Sequence, residues 1–313
     1  MIDYKPIIQS LQIKDLHTID VLRLDSIHPD INGNKWFKLK NNLQRAREEN
    51  RSTIITFGGA FSNHIAATAS ACKLANIESV GIIRGEKPLH LNYTLKKAQA
   101  EGMHLHFVSR EDYRKKEDES FKKFLVKIFG KHHLIPEGGN NSEGVTGCMD
   151  ILKSDWNYEY IICACGTSAT YLGLLCSAKP QQKIIGINVL KGKNDLVKQA
   201  QSMANKLFPE KKIQINGNDA LNEVIIKNSF ITDQYSFSGY AKYDKLLVEF
   251  KHEFVKQYGI PLDYVYTTKL FYGIINLMMK KKIPADSKVL VIHSGGLQGN
   301  KGFEERHHLA PML

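Results

Sequence analysis

The chain has 313 residues, 42% of them hydrophobic and 24% charged, with 43 Lys and Arg against 32 Asp and Glu for a formal net charge of +11. That length suits about two domains of roughly 150 residues each, and the composition is that of a soluble globular enzyme. Neither a signal peptide nor a membrane span is predicted, because Met1–Ile19 lacks a basic head followed by an unbroken apolar run and no segment approaches about 18 apolar residues. A cytoplasmic protein is therefore expected, without membrane contact. The basic runs RKKEDESFKKF, PEKKIQI and MMKKKIP are scattered and mixed with acids, so the charge does not argue for nucleic acid and fits small anionic substrates or cofactors equally well. Five cysteines (Cys72, Cys148, Cys163, Cys165, Cys176) make an odd number without a C-x-x-C pair, which points to buried thiols rather than disulfides or structural zinc. The pairs His132-His133 and His307-His308 lack the i, i+4 spacing of a helical metal site, and no metal is expected.

In chain order, the first notable stretch is INGNKWFKLKNNL, Ile31–Leu43. Asn32-Gly33 is a turn dipeptide and Asn34 a plausible N-cap, which puts Lys35 at the first helical position. From Ser52 onward β-branched runs alternate with helical patterns: STIITF, SNHIAATASACKLA, SVGIIR, LNYTLKKAQAEG, HLHFV, DESFKKFLVKIFG and HHLIPEGG. A second series runs YEYIICACG, ATYLGLLCSA, KIIGINVL, KNDLVKQAQSMANKLF, a polar stretch, YDKLLVEFKHEFVKQYG, YVYTTKLFYGIINLMMKKK and SKVLVIHSGG. Strands separated by helices of 10–15 residues mean crossovers and parallel sheets. Two such series predict two α/β units joined near residues 149–157, with a ligand cleft between them.

Ligands of open parallel sheets gather at the carboxyl ends of strands. In TFGGAFSNH, Gly58-Gly59 permits a sharp turn and Ser62 or Asn63 can cap the next helix, although an ordinary capped turn accounts for the same residues. In ACGTSATYLG, Gly166 allows close backbone approach, and Thr167, Ser168 and Thr170 set hydroxyls beside free amides at a helix start. That is an anion cradle without a Walker lysine or a dinucleotide fingerprint, although small residues there also ease helix–strand packing. VIHSGGLQGN repeats the theme with Ser294 and Gly295-Gly296, and IPEGGNNSEGVTG clusters Gly138, Gly139, Gly144 and Gly147 at another helix start.

A cation at the positive end of a helix is disfavoured, and Lys38 lies three residues from Lys35 on the same face. Both effects lower the pKa of Lys35 and favour the free amine that forms Schiff bases. Lys40 falls on another face and is expected to be solvated. A nucleophilic lysine with a phosphate cradle points towards pyridoxal phosphate.

At these residues the chain resembles the fold-type II pyridoxal-phosphate enzymes related to tryptophan synthase β, and among them the 1-aminocyclopropane-1-carboxylate (ACC) deaminase and D-cysteine desulfhydrase group. NGNKWFKLK resembles the group's G-G-N-K-x-R-K-L, GGAFSNH its G-G-x-x-S-N-x, GTSATYLG its phosphate loop, VYTTK its V-Y-x-G-K, and HSGG its H-x-G-G. The resemblance implies an α/β fold of two three-layer α/β/α domains with mainly parallel sheets. Residues 1–42 and 156–313 form a large domain in it, residues 43–155 a small mobile one, with the cofactor in the cleft and a homodimer as the assembly. It further implies that Lys35 is the Schiff-base lysine and proton carrier, that Lys38 helps hold the phosphate, and that Asn63 bonds the cofactor's phenolic oxygen. Ser62 then meets the substrate carboxylate or shares in proton transfer, Gly166, Thr167, Ser168, Ala169 and Thr170 wrap the phosphate, and Tyr240 and Tyr266 face the substrate. The chain departs from the pattern at Asn32, which replaces a Gly and still tolerates positive φ, at Phe37, which replaces an Arg, and at Thr268, which replaces a Gly. Of the usual K-R-[DE]-D only Arg23 and Asp25 are kept.

In ACC deaminases the residue after V-Y is a Glu that can protonate the pyridine nitrogen, and Leu follows the last His. Here Thr267 and Ser294 hold those places. A hydroxyl leaves the ring largely unprotonated and the electron sink weaker, which favours a substrate with a good β-leaving group. The expected activity is therefore β-elimination from a small amino acid, D-cysteine to pyruvate, sulfide and ammonia. The alternatives are ACC deamination, another elimination or racemisation on the same cofactor, and a cofactor-binding protein without turnover.

Overall fold

The computed structural model describes residues 2–13, 16–190 and 195–310. An N-terminal hairpin, β1 (Ile8–Gln12) and β2 (Thr18–Arg23), leads into helix α1 (Asn34–Glu48). The first βα series comprises β3 (Thr53–Gly58), α2 (Asn63–Ala75), β4 (Glu78–Arg84), α3 (Tyr93–Ala100), β5 (His104–Val108), α4 (Arg110–Arg114), α5 (Glu119–Phe129), β6 (His133–Ile135) and α6 (Ser142–Met149). The second comprises β7 (Tyr160–Cys165), α7 (Ala169–Ser177), β8 (Lys183–Asn188), α8 (Leu196–Leu207), β9 (Phe230–Thr232), α9 (Lys245–Tyr258), α10 (Thr267–Met279), β10 (Val289–His293) and α11 (Gly299–His307). The helix expected from Lys193 begins at Leu196 instead, and Lys193 and Asn194 lie outside the described residues.

The first series builds a parallel four-stranded sheet in the order β5-β4-β3-β6. The second builds a six-stranded sheet, β1-β2-β10-β7-β8-β9, parallel except for β1. Every residue of β3 and of β7 is buried, as central strands covered on both faces require. The N-terminal hairpin, β9 and α11 were not evident from periodicity. The hairpin completes the large sheet by pairing β2 with β10, Leu290 opposite Asp20 and His293 opposite Arg23.

Helix α1 stands between the sheets. Its buried Trp36, Phe37 and Leu39 share one apolar cluster with Ile54 and Ala67 of the small sheet's layers and with Cys163 and Leu172 of the large one's. Helix α6 touches it at backbone level, since a Cβ on Gly147 would lie 2.0 Å from the Phe37 carbonyl oxygen. The position of α1 is thereby fixed from both sides, and with it the side chains of its first turn. Among the described residues no helix is long and apolar enough to cross a membrane.

Phe37 is almost fully buried and meets Tyr4 edge-on at 4.9 Å between ring centroids. Phe37→Ala is expected to destabilise the protein by about 3–5 kcal/mol, read as a lowered urea midpoint; a loss under about 1 kcal/mol would mean that the core collapses around the gap.

Candidate active site

The carboxyl ends of β3, β7 and β10 converge on the first turn of α1. The chain turns into α1 at Gly33, whose φ of 69° and ψ of −154° suit glycine. A Cβ there would stand 1.9 Å from the Ser294 carbonyl oxygen, so only glycine allows the two segments to pass. That carbonyl accepts from the Asn34 amide at 3.3 Å and thus ties the start of α1 to the end of β10. Two expectations change here. Gly33, not Asn34, is the N-cap residue, so Lys35 is the second helical residue; and positive φ falls on Gly33 rather than on Asn32.

Lys38 is buried, and its ammonium donates to Thr167 Oγ1 at 2.9 Å and to the Gly138 carbonyl at 3.1 Å. Gly138 and Gly139 both adopt left-handed backbone (φ 70° and 65°), which brings the loop before α6 against Lys38 and Thr167. The loop Gly166–Thr170 enters α7 without a cap from its own Ser168. The Ser168 hydroxyl is instead 3.1 Å from Asn140 Oδ1, which also accepts from the Ala169 amide at 3.0 Å. Thr170 Oγ1 accepts from Asn34 Nδ2 at 2.8 Å. Of the three hydroxyls read as a cradle, Thr167 alone meets a lysine, while Ser168 and Thr170 hold the loop to its neighbours. Gly166 lies under the Tyr266 ring, where a Cβ would come within 2.8 Å of Cε1.

Lys35 remains partly accessible, and its Nζ donates to Asn34 Oδ1 at 2.7 Å. Burial around the amine, reinforced by the Lys38 charge, lowers its pKa to about 7; Asp263 opposes the shift. Lys38 is lowered too, by burial. Lys40, expected in solvent, is half-buried and ion-paired to Asp150.

The opposite wall comes from the small sheet. Ser62 caps α2, accepting from the Ile65 amide at 3.3 Å. Asn63 accepts from Gln298 and lies against Gly296 and Gly299. The next residue, His64, is buried among the same charges. Thr56 gives its proton to the Ile135 carbonyl, so it accepts from His64 Nε2 at 2.9 Å, and His64 Nδ1 is left a bare acceptor without a partner among the described residues. Burial and the charges of Lys35 and Lys38 hold this imidazole well below its ordinary pKa, hence neutral.

Tyr266 flanks the site from the start of α10, with Lys35 Nζ 5.8 Å from its ring centroid. The Tyr240 ring sits edge-on to it at 6.3 Å, and burial raises both phenols, Tyr240 to about 12. Tyr240 remains 38% exposed at the cavity it shares with Asn63, Asp263 and Gly296. Asp263 was not singled out from sequence. Its buried carboxylate accepts from the amides of Val265, Tyr266 and Thr267 at 2.8–2.9 Å and from the Thr267 hydroxyl at 2.8 Å. Thr267 Oγ1 in turn accepts from the Asp263 amide at 2.7 Å, so both its functions are used within this knot. Behind Ser294, His293 is buried with Nδ1 3.1 Å from Asp25 Oδ1 and Nε2 2.7 Å from the Pro261 carbonyl, and Arg23 grips Asp25 with two hydrogen bonds.

A family model described as pyridoxal-phosphate dependent enzyme matches residues 2–295. The chain belongs to this family. Its relatives include a bifunctional D-cysteine desulfhydrase/1-aminocyclopropane-1-carboxylate deaminase, mitochondrial, of Arabidopsis thaliana, 29% identical over 89% of this chain and 72% of that protein. A putative 1-aminocyclopropane-1-carboxylate deaminase of Thermotoga maritima is 32% identical over 85% of each chain. Among solved structures, an ACC deaminase homologue superposes with a TM-score of 0.78 at 24% identity, over 97% of this chain and 93% of that one. A fungal L-serine ammonia-lyase from Rhizomucor miehei shares the fold at a TM-score of 0.59 and 13% identity, over 96% and 98% of the two chains. The tryptophan synthase β-like α/β fold and the pyridoxal-phosphate lyase or deaminase class follow. The residues fit the family's cofactor: a buried lysine and a hydroxyl at the N-terminus of α7 suit a phosphate, and a lysine amine with a pKa near 7 suits an aldehyde.

The Lys35 amine should be half deprotonated near pH 7 and fully free by about pH 8 to 9, below the range of an ordinary lysine at about 10.4. In the cofactor-free protein, acetylation of Lys35 followed by mass spectrometry is expected to rise through pH 7 and then level off. Lys38→Met removes a like charge and should move that midpoint upward; a midpoint that stays or falls would contradict the coupling.

Proposed function

We propose that this enzyme catalyses β-elimination from a small amino acid, with D-cysteine as the leading substrate: D-cysteine and water leave as pyruvate, sulfide and ammonia. The observation that carries this reading is the knot of Thr267 and Asp263. At the position where an ACC deaminase has an acid to protonate the pyridine ring, this chain has a hydroxyl whose proton is given to Asp263. Asp263 itself accepts four hydrogen bonds, so its oxygens are occupied within the knot. Bound pyridoxal phosphate supplies an electron sink for charge at the substrate's Cα; with no acid at its ring nitrogen the sink is weaker and a departing β-substituent is the easier outlet.

The chain's own residues have distinct tasks in this reading. Lys38, with Thr167 and the amides at the start of α7, holds the phosphate. Asn63, oriented by Gln298, would bond the cofactor's phenolic oxygen, and the N-terminus of α2 at Ser62 would receive the substrate carboxylate. Lys35, half of it free amine near pH 7, takes the α-proton. Tyr266, its phenol kept neutral by burial and its ring packed edge-on to that of Tyr240, can give a proton to the departing group.

ACC deamination is the second reading. It rests on the names of the Arabidopsis and Thermotoga relatives, one of which carries both activities in its name.

Purified, cofactor-loaded protein should release pyruvate from D-cysteine and β-chloro-D-alanine faster than from L-cysteine, and little 2-oxobutanoate from ACC. Turnover of ACC alone would reverse the order of the two readings. Lys35→Ala should abolish the visible absorbance of the bound cofactor together with turnover, and a retained band would remove Lys35 from its role.

A further inference from the structure

Lys269 lies outside every role assigned above. It is the third residue of α10, close to the positive end of that helix, where a cation is disfavoured. It is also almost fully buried. Its ammonium donates to three backbone carbonyls: Val189 at 2.9 Å, Ser236 at 2.8 Å and Gly239 at 2.7 Å. Three acceptors match the three protons of an ammonium, whereas a neutral amine could serve only two. No carboxylate is among them. A set of backbone carbonyls around one small monovalent cation is the arrangement with which proteins replace the hydration shell of potassium.

Two of the three carbonyls belong to the segment that presents Tyr240. Ser236 and Gly239 are joined by their own hydrogen bond, and Gly239 directly precedes Tyr240. The segment is bent in an unusual way. Phe237, Gly239 and Ala241 all have positive φ (51°, 100° and 49°), and two of the three are not glycine. Such strained backbone persists only where its surroundings over-determine it. The Phe237 ring against Tyr272, edge-on at 5.1 Å, is one restraint from α10, and the ammonium is the other. The third carbonyl, at Val189, ties both to the end of β8.

We propose that Lys269 acts as a tethered monovalent cation. Its ammonium fills a carbonyl cage that clamps the Ser236–Ala241 turn onto α10 and β8, and so positions Tyr240 against Tyr266. Lys269 is a positioning residue, and shortening its side chain leaves a latent site for free ammonium or potassium. The catalytic consequence rests on Tyr240 and Tyr266 serving the reaction proposed above; the cage itself does not.

The test uses full-length, cofactor-loaded protein in buffers free of sodium and potassium, with tetramethylammonium chloride holding ionic strength constant. Lys269→Ala is expected to lower turnover at least ten-fold on whichever panel substrate the wild type consumes, and to lower Tm. Ammonium or potassium chloride at tens of millimolar should restore several-fold of that turnover and raise the variant's Tm by several degrees. Lys269→Met, whose apolar chain occupies the cage, should be impaired without rescue, and the wild type should be indifferent to the cation. Wild-type behaviour of Lys269→Ala, or a deficit that ammonium and potassium lift no more than tetramethylammonium does, would overturn the proposal. If Lys269→Ala folds only with ammonium or potassium present, that requirement is itself the expected rescue; failure to fold with either overturns it. The Tm arm needs no substrate, so a protein inactive on the whole panel still gives the answer.

Discussion

Two lysine ammoniums three residues apart on one helical turn, both drawn into protein, are the constraint around which this site is organised. Burying either charge without partners costs several kcal/mol, on the order of the whole stability of a domain. The two solve the problem differently. At Lys38 oxygen acceptors are brought to the amine, and that need accounts for the glycine pair at Gly138-Gly139 and for Thr167 facing inward. Lys35 instead loses its proton near neutrality. The charge held on the first is part of what makes the second reactive.

The same solution dictates the neighbourhood. His64 stays neutral because a third cation beside the two lysines is unfavourable, which leaves Nδ1 as an acceptor inside the site. Gly33 has to be glycine because the first turn of α1 is pressed against the end of β10 to aim Lys35 inward. Asp263 supplies the negative counterpart on the far wall, and its carboxylate is spent on organising the start of α10.

Much of this was legible in the residues alone. Wholly apolar runs such as YIICAC and alternating βα periods mark parallel strands and crossovers. The lysine pair behind a turn, the hydroxyl loop after β7 and the Ser62 cap announced themselves by type and spacing. Other features did not, for identifiable reasons. Strand β9 has three residues, too few to display a period, and β1 and β2 form an edge hairpin with mixed polarity. Thr167, Ser168 and Thr170 look alike in sequence, and what separates them is an asparagine 28 residues away for Ser168 and another 136 residues away for Thr170. Asp263 carries no local signal at all, since a helix-start aspartate is ordinary until its surroundings are known.

The pairing of β2 with β10 also sets an order of events. The four-stranded sheet draws on one continuous stretch of chain, whereas the six-stranded sheet must wait for a strand near residue 290 to slot between β2 and β7. Such distant pairings form late. During synthesis the small sheet can close while β2 is still without its neighbour, and Lys35 cannot be aimed until Ser294 has left the ribosome. Ordering of the first turn of α1 therefore follows translation past residue 294, and until then β2 has an unsatisfied strand edge to shield.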